Sequence, residues 1–231
     1  DTDRSRGLGD VYKRQLLYLP WGHMPGQSIT YVDALYTAVS ALCVTGLSIV
    51  DTAAVFNPFG QAILAVLIQV GGLGVSTMGA GVLLMFGRKV GIRQRNLIHD
   101  TMNLDSYSGV VRFLRTLFAT TVFIEIIGAF LGYFVFRRDY EMMESIGLSI
   151  FHSISSFNNA GLTILTKERS MEMYAEDPFM LILTTALVFV GGLGFIVIRE
   201  CWVNRFRWRK LSMHSRVSIF MAVFLLIGGA V

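Results

Sequence analysis

Charge is the scarce commodity in this chain. Of 231 residues only 16% are charged, against 53% hydrophobic, and the mean hydropathy is +0.56. Soluble domains carry roughly a quarter charged residues, so an ordinary soluble fold is excluded. The scarcity is local. No charge occurs over the 29 positions of Pro58–Phe86, the 21 of Pro178–Ile198, or from Ser218 to Val231, and Phe113–Phe136 holds only Arg115 and Glu125. A span needs about 20 apolar residues, which predicts three full spans and one cut short. Cysteine is nearly absent. Cys43 and Cys201 are the two present and stand far apart, which excludes a disulfide framework and a cysteine zinc site. Also missing are any Ser-His-Asp order with supporting turns, HExxH and a Walker motif, so the chain reads as no enzyme.

What the chain does have is a repeat. Tyr36–Ser48 (YTAVSALCVTGLS) matches Phe151–Thr163 (FHSISSFNNAGLT), pairing Gly46 with Gly161, Ser40 with Ser155 and Leu47 with Leu162. Pro58 precedes Gly71-Gly72-Leu73-Gly74 by 13 residues, and Pro178 precedes Gly191-Gly192-Leu193-Gly194 by the same 13. Two motifs recurring in one order set the architecture. Each unit predicts a short amphipathic helix, a glycine turn and a long apolar helix, which is the build of a pore loop. The fold class is therefore all-α integral membrane, with tandem membrane-pore-membrane repeats.

The expected boundaries follow. Residues 1–15 are polar and aperiodic, and read as a foreign or disordered leader. The first repeat covers 16–95, with its first membrane helix mostly missing, a pore loop at 33–50 and a second membrane helix at 58–86. The second covers 96–204, with membrane helices at 113–136 and 178–198 around a pore loop at 147–165. Residues 205–231 start a third repeat. Basic residues cluster at Arg88–Arg95 and Arg205–Arg216, whereas residues 137–177 hold four basic and seven acidic. The positive-inside tendency puts the basic linkers in the cytoplasm and the pore loops outside. Because each basic cluster abuts a span, no nucleic-acid partner is expected.

A dehydrated cation within a bilayer recovers its hydration energy from oxygens at short range, and backbone carbonyls supply them without net charge. Non-helical backbone at that depth is tolerated only where it is buried in protein or lines a water-filled path. Val44, Thr45, Gly46 and Leu47, with Asn159, Ala160, Gly161 and Leu162, are the candidates. The short helices before them would turn their negative ends toward the ion. Ser40, Ser155 and Asn158 are read as support, and Asn159 as a second brace. Gly71, Gly72, Gly74, Gly191, Gly192 and Gly194 fit close helix packing and are also candidate pore or gating positions. They are not a phosphate loop, since no Lys-Ser/Thr follows. Glu125 is either part of the ion path or paired with a neighbouring helix or pore-loop hydroxyl. His152 is a packed, hydrogen-bonded residue or a proton sensor. Asp33 and Asp51 either concentrate cations or cap helices, and Thr45 and Ser48 have hydroxyls to add.

The stretches Ala38–Leu47, Gln69–Val75 and Ser156–Leu162 together resemble the Trk/Ktr/HKT superfamily of potassium transporters. Arg209–Arg216 adds a closer likeness to its KtrB-type membrane subunit, over about residues 16–231. The resemblance implies four covalently linked units around one pore, each giving one filter glycine, here Gly46 and Gly161. With half of such a filter, this chain alone is not expected to conduct. It further implies potassium as the ion, sodium as a coupling or activating ion, no organic cofactor, and a multi-pass place in the prokaryotic plasma membrane among its lipids. The implied partners are a second copy, forming a homodimer, and a cytoplasmic KtrA/TrkA-type nucleotide-binding regulatory ring docked on the basic linkers. The alternatives are a TrkH-like member with different ion coupling and a non-conducting membrane scaffold.

Overall fold

The computed structural model describes residues 17, 20–25, 29–74, 77–78, 110–165, 171–204 and 207–228. The expected leader at 1–15 and the basic cluster Arg88–Arg95 lie outside them. Among the described residues the structure is helical and holds no strand, only an isolated bridge between His23 and Phe56. The helices are α1 (Tyr31–Cys43), α2 (Thr52–Val55), α3 (Pro58–Leu73), α4 (Val110–Phe136), α5 (Met142–Phe157), α6 (Pro178–Gly192), α7 (Phe195–Val203) and α8 (Met213–Gly228). They divide into two compact units.

The first unit gathers the chain up to Leu73 with Glu125–Thr185. Four of its helices, α1, α2, α3 and α6, start on side-chain caps. Thr30 accepts from the Asp33 amide at 3.2 Å and its hydroxyl donates to the Asp33 carboxylate at 2.6 Å, so α1 begins on a reciprocal cap. Asp51 accepts from the amides of Ala53 and Ala54 and starts α2. Of the two readings of Asp33 and Asp51, both residues take the capping one. α3 and α6 open alike. Asn57 accepts from the amides of Phe59 and Gly60, and Asp177 from those of Phe179 and Met180. Each is followed by a proline at the first helical position, where no amide is needed. The Met180 and Phe179 amides, and after them the nearby Arg138, hold the Asp177 carboxyl below its ordinary range. The core is Leu17, Phe56, Leu64, Ile68, Phe136 and Phe157, all buried.

α5 contains one glycine, Gly147, whose added Cβ would meet nothing within 4 Å. With no contact to lose, Gly147→Ala should stabilise the helix by about 0.5–1 kcal/mol. A raised thermal midpoint of the detergent-solubilised protein checks this, and a lowered one refutes it.

The second unit gathers Gly74–Ile124 with Ala186–Val231. Val197, Cys201 and Leu211 form its buried cluster, against which Leu193 and Ile219 pack. The segment after α7 is folded. Glu200 accepts from the Ser212 amide at 3.1 Å and hydroxyl at 2.9 Å. Arg216 donates to the carbonyls of Leu211 and Arg209, while Arg207, Arg209 and Lys210 are exposed.

The spans depart from expectation. One described helix, Phe113–Phe136, is by itself long and apolar enough to cross a membrane, or two if the bent pair Pro178–Gly192 and Phe195–Trp202 counts as one span. That pair turns through 99°. The turn comes at Gly194, at φ +83°, and its repeat partner Gly74, at φ +84°, ends α3 the same way. Apolar runs count residues but carry no record of backbone angle, so 58–86 and 178–198 read as continuous when the helices break at these glycines. Residues 79–86 lie outside the description.

Candidate functional site

α1 and α5 end in the same manner. Val44 caps α1 at φ 56°, ψ 40° and returns its amide to the Ser40 carbonyl. Asn159, its aligned counterpart, has φ 57°, and the glycines two residues on have φ 75° at Gly46 and 66° at Gly161. One pair of backbone bonds matches as well, Thr45 N–H donating to the Ser40 carbonyl at 3.0 Å and Ala160 N–H to that of Ser155 at 2.8 Å, whereas the Asn159 amide goes to Ser156 rather than Ser155. Left-handed backbone is cheap for glycine and tolerable for asparagine. A β-branched valine there is a genuine outlier, costing of order 1–3 kcal/mol.

The two segments lie against each other. A Cβ at Gly46 would sit 2.6 Å from the Ala160 carbonyl oxygen and 3.4 Å from the Gly161 Cα. The Thr52 hydroxyl donates to the Thr163 carbonyl and ties one loop to the other. Hydroxyls fix the flanks. Ser40 and Thr45 share a bond at 2.9 Å, and Ser155 donates to the Leu162 carbonyl at 2.6 Å. Ser48 turns its hydroxyl onto the Val50 carbonyl. Among the described residues nothing donates to the carbonyls of Val44, Thr45, Gly46, Asn159, Ala160 or Gly161. Carbonyls left this way at the C-terminal ends of two short helices are electronegative. The copies differ in cover, since Leu47 is 60% exposed and Leu162 5%.

Behind the second segment is a polar cluster. The Asn158 amide donates to Gln69 Oε1 at 2.9 Å, to the Ile154 carbonyl at 2.9 Å and to Glu125 Oε1 at 3.4 Å. The Ser153 hydroxyl donates to the Glu125 carbonyl at 2.8 Å. Glu125 thus has hydrogen-bond partners at Ser153 and Asn158. His152 sits edge-on to Phe136 and bonds Thr184 at 3.1 Å and Ser156 at 3.3 Å. Gly71 and Gly72 press on the same region. A Cβ on Gly71 would lie 2.0 Å from the Leu42 carbonyl oxygen, and one on Gly72 2.0 Å from Asn158 Oδ1.

Sequence reading missed Gln69 and Thr52. Gln69 had a signal, being an amide deep inside a 29-residue uncharged run. Thr52 had none, because a threonine in a loop is unremarkable until its partner is seen.

The family model described as TrkH, a cation transport protein, matches residues 14–225. The potassium/sodium uptake protein NtpJ of Enterococcus hirae is 35% identical over 95% of this chain and 48% of its own length. The Ktr system potassium uptake proteins B of Vibrio alginolyticus and Bacillus subtilis are 37% and 35% identical, covering 94% and 83% of this chain and 47% and 42% of theirs. The chain spans about half the length of the curated relatives it matches. These relatives are transporters, not enzymes. The chain belongs to the TrkH family of cation transport proteins.

Proposed function

We propose that this chain builds part of a pore for inward potassium movement across a prokaryotic plasma membrane, as the membrane subunit of a Ktr/Trk-type system. The observation that carries the reading is the pair of matched glycine segments, Val44–Leu47 and Asn159–Leu162, side by side with left-handed backbone at the same positions. In this reading they are two segments of a selectivity filter within membrane-pore-membrane repeats, and potassium is held by their carbonyls. The membrane potential drives the ion inward, at about 2.3 kcal/mol per charge per 100 mV. The exposed Arg207, Arg209 and Lys210 provide the docking face for a cytoplasmic nucleotide-binding ring, and a second copy completes a homodimer. A second reading, with sodium carried or coupled, is favoured by the potassium/sodium name of the Enterococcus relative.

Rubidium uptake tests this. Expressed as the full-length protein in cells stripped of their own potassium uptake, it should restore growth at low potassium and take up rubidium. Sodium alone entering would favour the second reading. Neither ion entering, despite good membrane expression and a co-expressed regulatory subunit, would refute both.

A further inference from the structure

Glu125 is a carboxylate in the middle of the one unbroken apolar span among the described residues, 34 to 36 residues before the segment it serves, and the pore reading above gives it no task. Its surroundings do. Gln69 on α3, Glu125 on α4 and Asn158 at the end of α5 form a triangle joined at Asn158, whose amide donates to both of the others. Asn158 is 8% exposed, and the next residue, Asn159, is the left-handed one that starts the turn toward Gly161. The triangle also has a seat. Gly72, one turn along α3 from Gln69, has no side chain, and any Cβ there would collide with Asn158 Oδ1. A buried amide or carboxylate left unpaired is expensive, so removal of one corner forces the others to move.

We infer that Glu125 is a positioning residue. Through Asn158, with Gln69 as the third corner and Gly72 as the space that admits it, Glu125 fixes the backbone of Asn159–Gly161 and with it the ion preference of the second segment. It touches no ion. The inference rests on the filter reading above and names what sets that filter's geometry.

Double-variant cycles on the full-length protein test it, with potassium-over-sodium preference in rubidium and sodium uptake as the readout at matched membrane levels. Glu125→Ala and Asn158→Ala should each lower the preference roughly tenfold, the scale set by losing one buried hydrogen bond to a charged group. The double variant should be no worse than either, because one linkage is lost once. Asn158→Asp should set two carboxylates against each other, and adding Glu125→Gln should restore a donor and recover the preference. That exchanged pair also decides the matter if the alanine variants fail to reach the membrane. Additive losses, or no recovery in the exchanged pair, overturn the inference. Gly161→Ser separates the two levels. A preference that shifts with Gly161→Ser but ignores Glu125→Ala sinks this inference alone, whereas indifference to both sinks the filter reading beneath it.

Discussion

Gly46→Ala should abolish uptake, while Gly161→Ser should leave a folded protein with a weakened potassium preference. The two glycines are matched in sequence and nearly matched in angle, yet their surroundings differ. At Gly46 a Cβ meets the Ala160 carbonyl oxygen at 2.6 Å. That atom belongs to backbone, so the second segment itself has to shift. At Gly161 the nearest atom is the Gly46 Cα at 3.6 Å, an ordinary contact. Substitution there adds only the left-handed penalty, about 1–2 kcal/mol, which as an equilibrium effect is a factor of roughly 5–30. Gly46→Ala carries that penalty and the collision together. Rubidium uptake, with membrane levels measured in parallel, checks the ranking. Equal losses, or a worse loss at Gly161, would mean that the two segments do not meet as described.

That asymmetry marks how far the residues alone could be read. The repeat was legible because left-handed backbone selects glycine, and selection at two matched places leaves a visible mark. Val44 left none. A β-branched residue in that conformation runs against its own preference, so the matching angle at Val44 and Asn159 emerged only from the structure. The Gly-Gly-Leu-Gly motif was legible in part. It read as a packing device and as candidate pore or gating positions, and in its first copy it divides: Gly71 and Gly72 make room for neighbours, whereas Gly74 takes left-handed backbone after the last turn of α3. Composition cannot separate the two tasks, since both need only the loss of a Cβ. Glu125 and Asn158 were each singled out by the cost of polarity in an apolar setting. Their joining was not legible, because Gln69 lies 89 residues from Asn158 and Glu125 lies 33, and only tertiary packing brings such residues together.

The most damaging single change outside the glycine segments should be Gly71→Ala, and its effect should be on folding before it is on selectivity. A Cβ there would lie 2.0 Å from the Leu42 carbonyl oxygen, 2.7 Å from its carbon and 3.1 Å from its Cα. All three atoms are backbone in the last turn of α1, and no rotamer change can clear them. Relief requires α1 and α3, which pack against each other, to part, and the interior that holds Ala38 and Ala41 of α1 and Leu64, Leu67 and Ile68 of α3 is loosened. Overpacking of this kind costs typically about 1–3 kcal/mol in adaptable cores, and a backbone-to-backbone contact belongs at or above the top of that range. Gly72→Ala, one residue on, makes the informative contrast. Its nearest obstacle, Asn158 Oδ1 at 2.0 Å, can swing away once its bonds to Gln69 and Glu125 break, which leaves the Asn158 Cβ at 2.8 Å for a smaller backbone shift to clear. Gly71→Ala should therefore lower the thermal midpoint and the membrane level sharply. Gly72→Ala should express better and lose potassium preference as Asn158→Ala does. The same ranking in both readouts for the two variants would contradict the assignment of backbone contact to one and side-chain contact to the other.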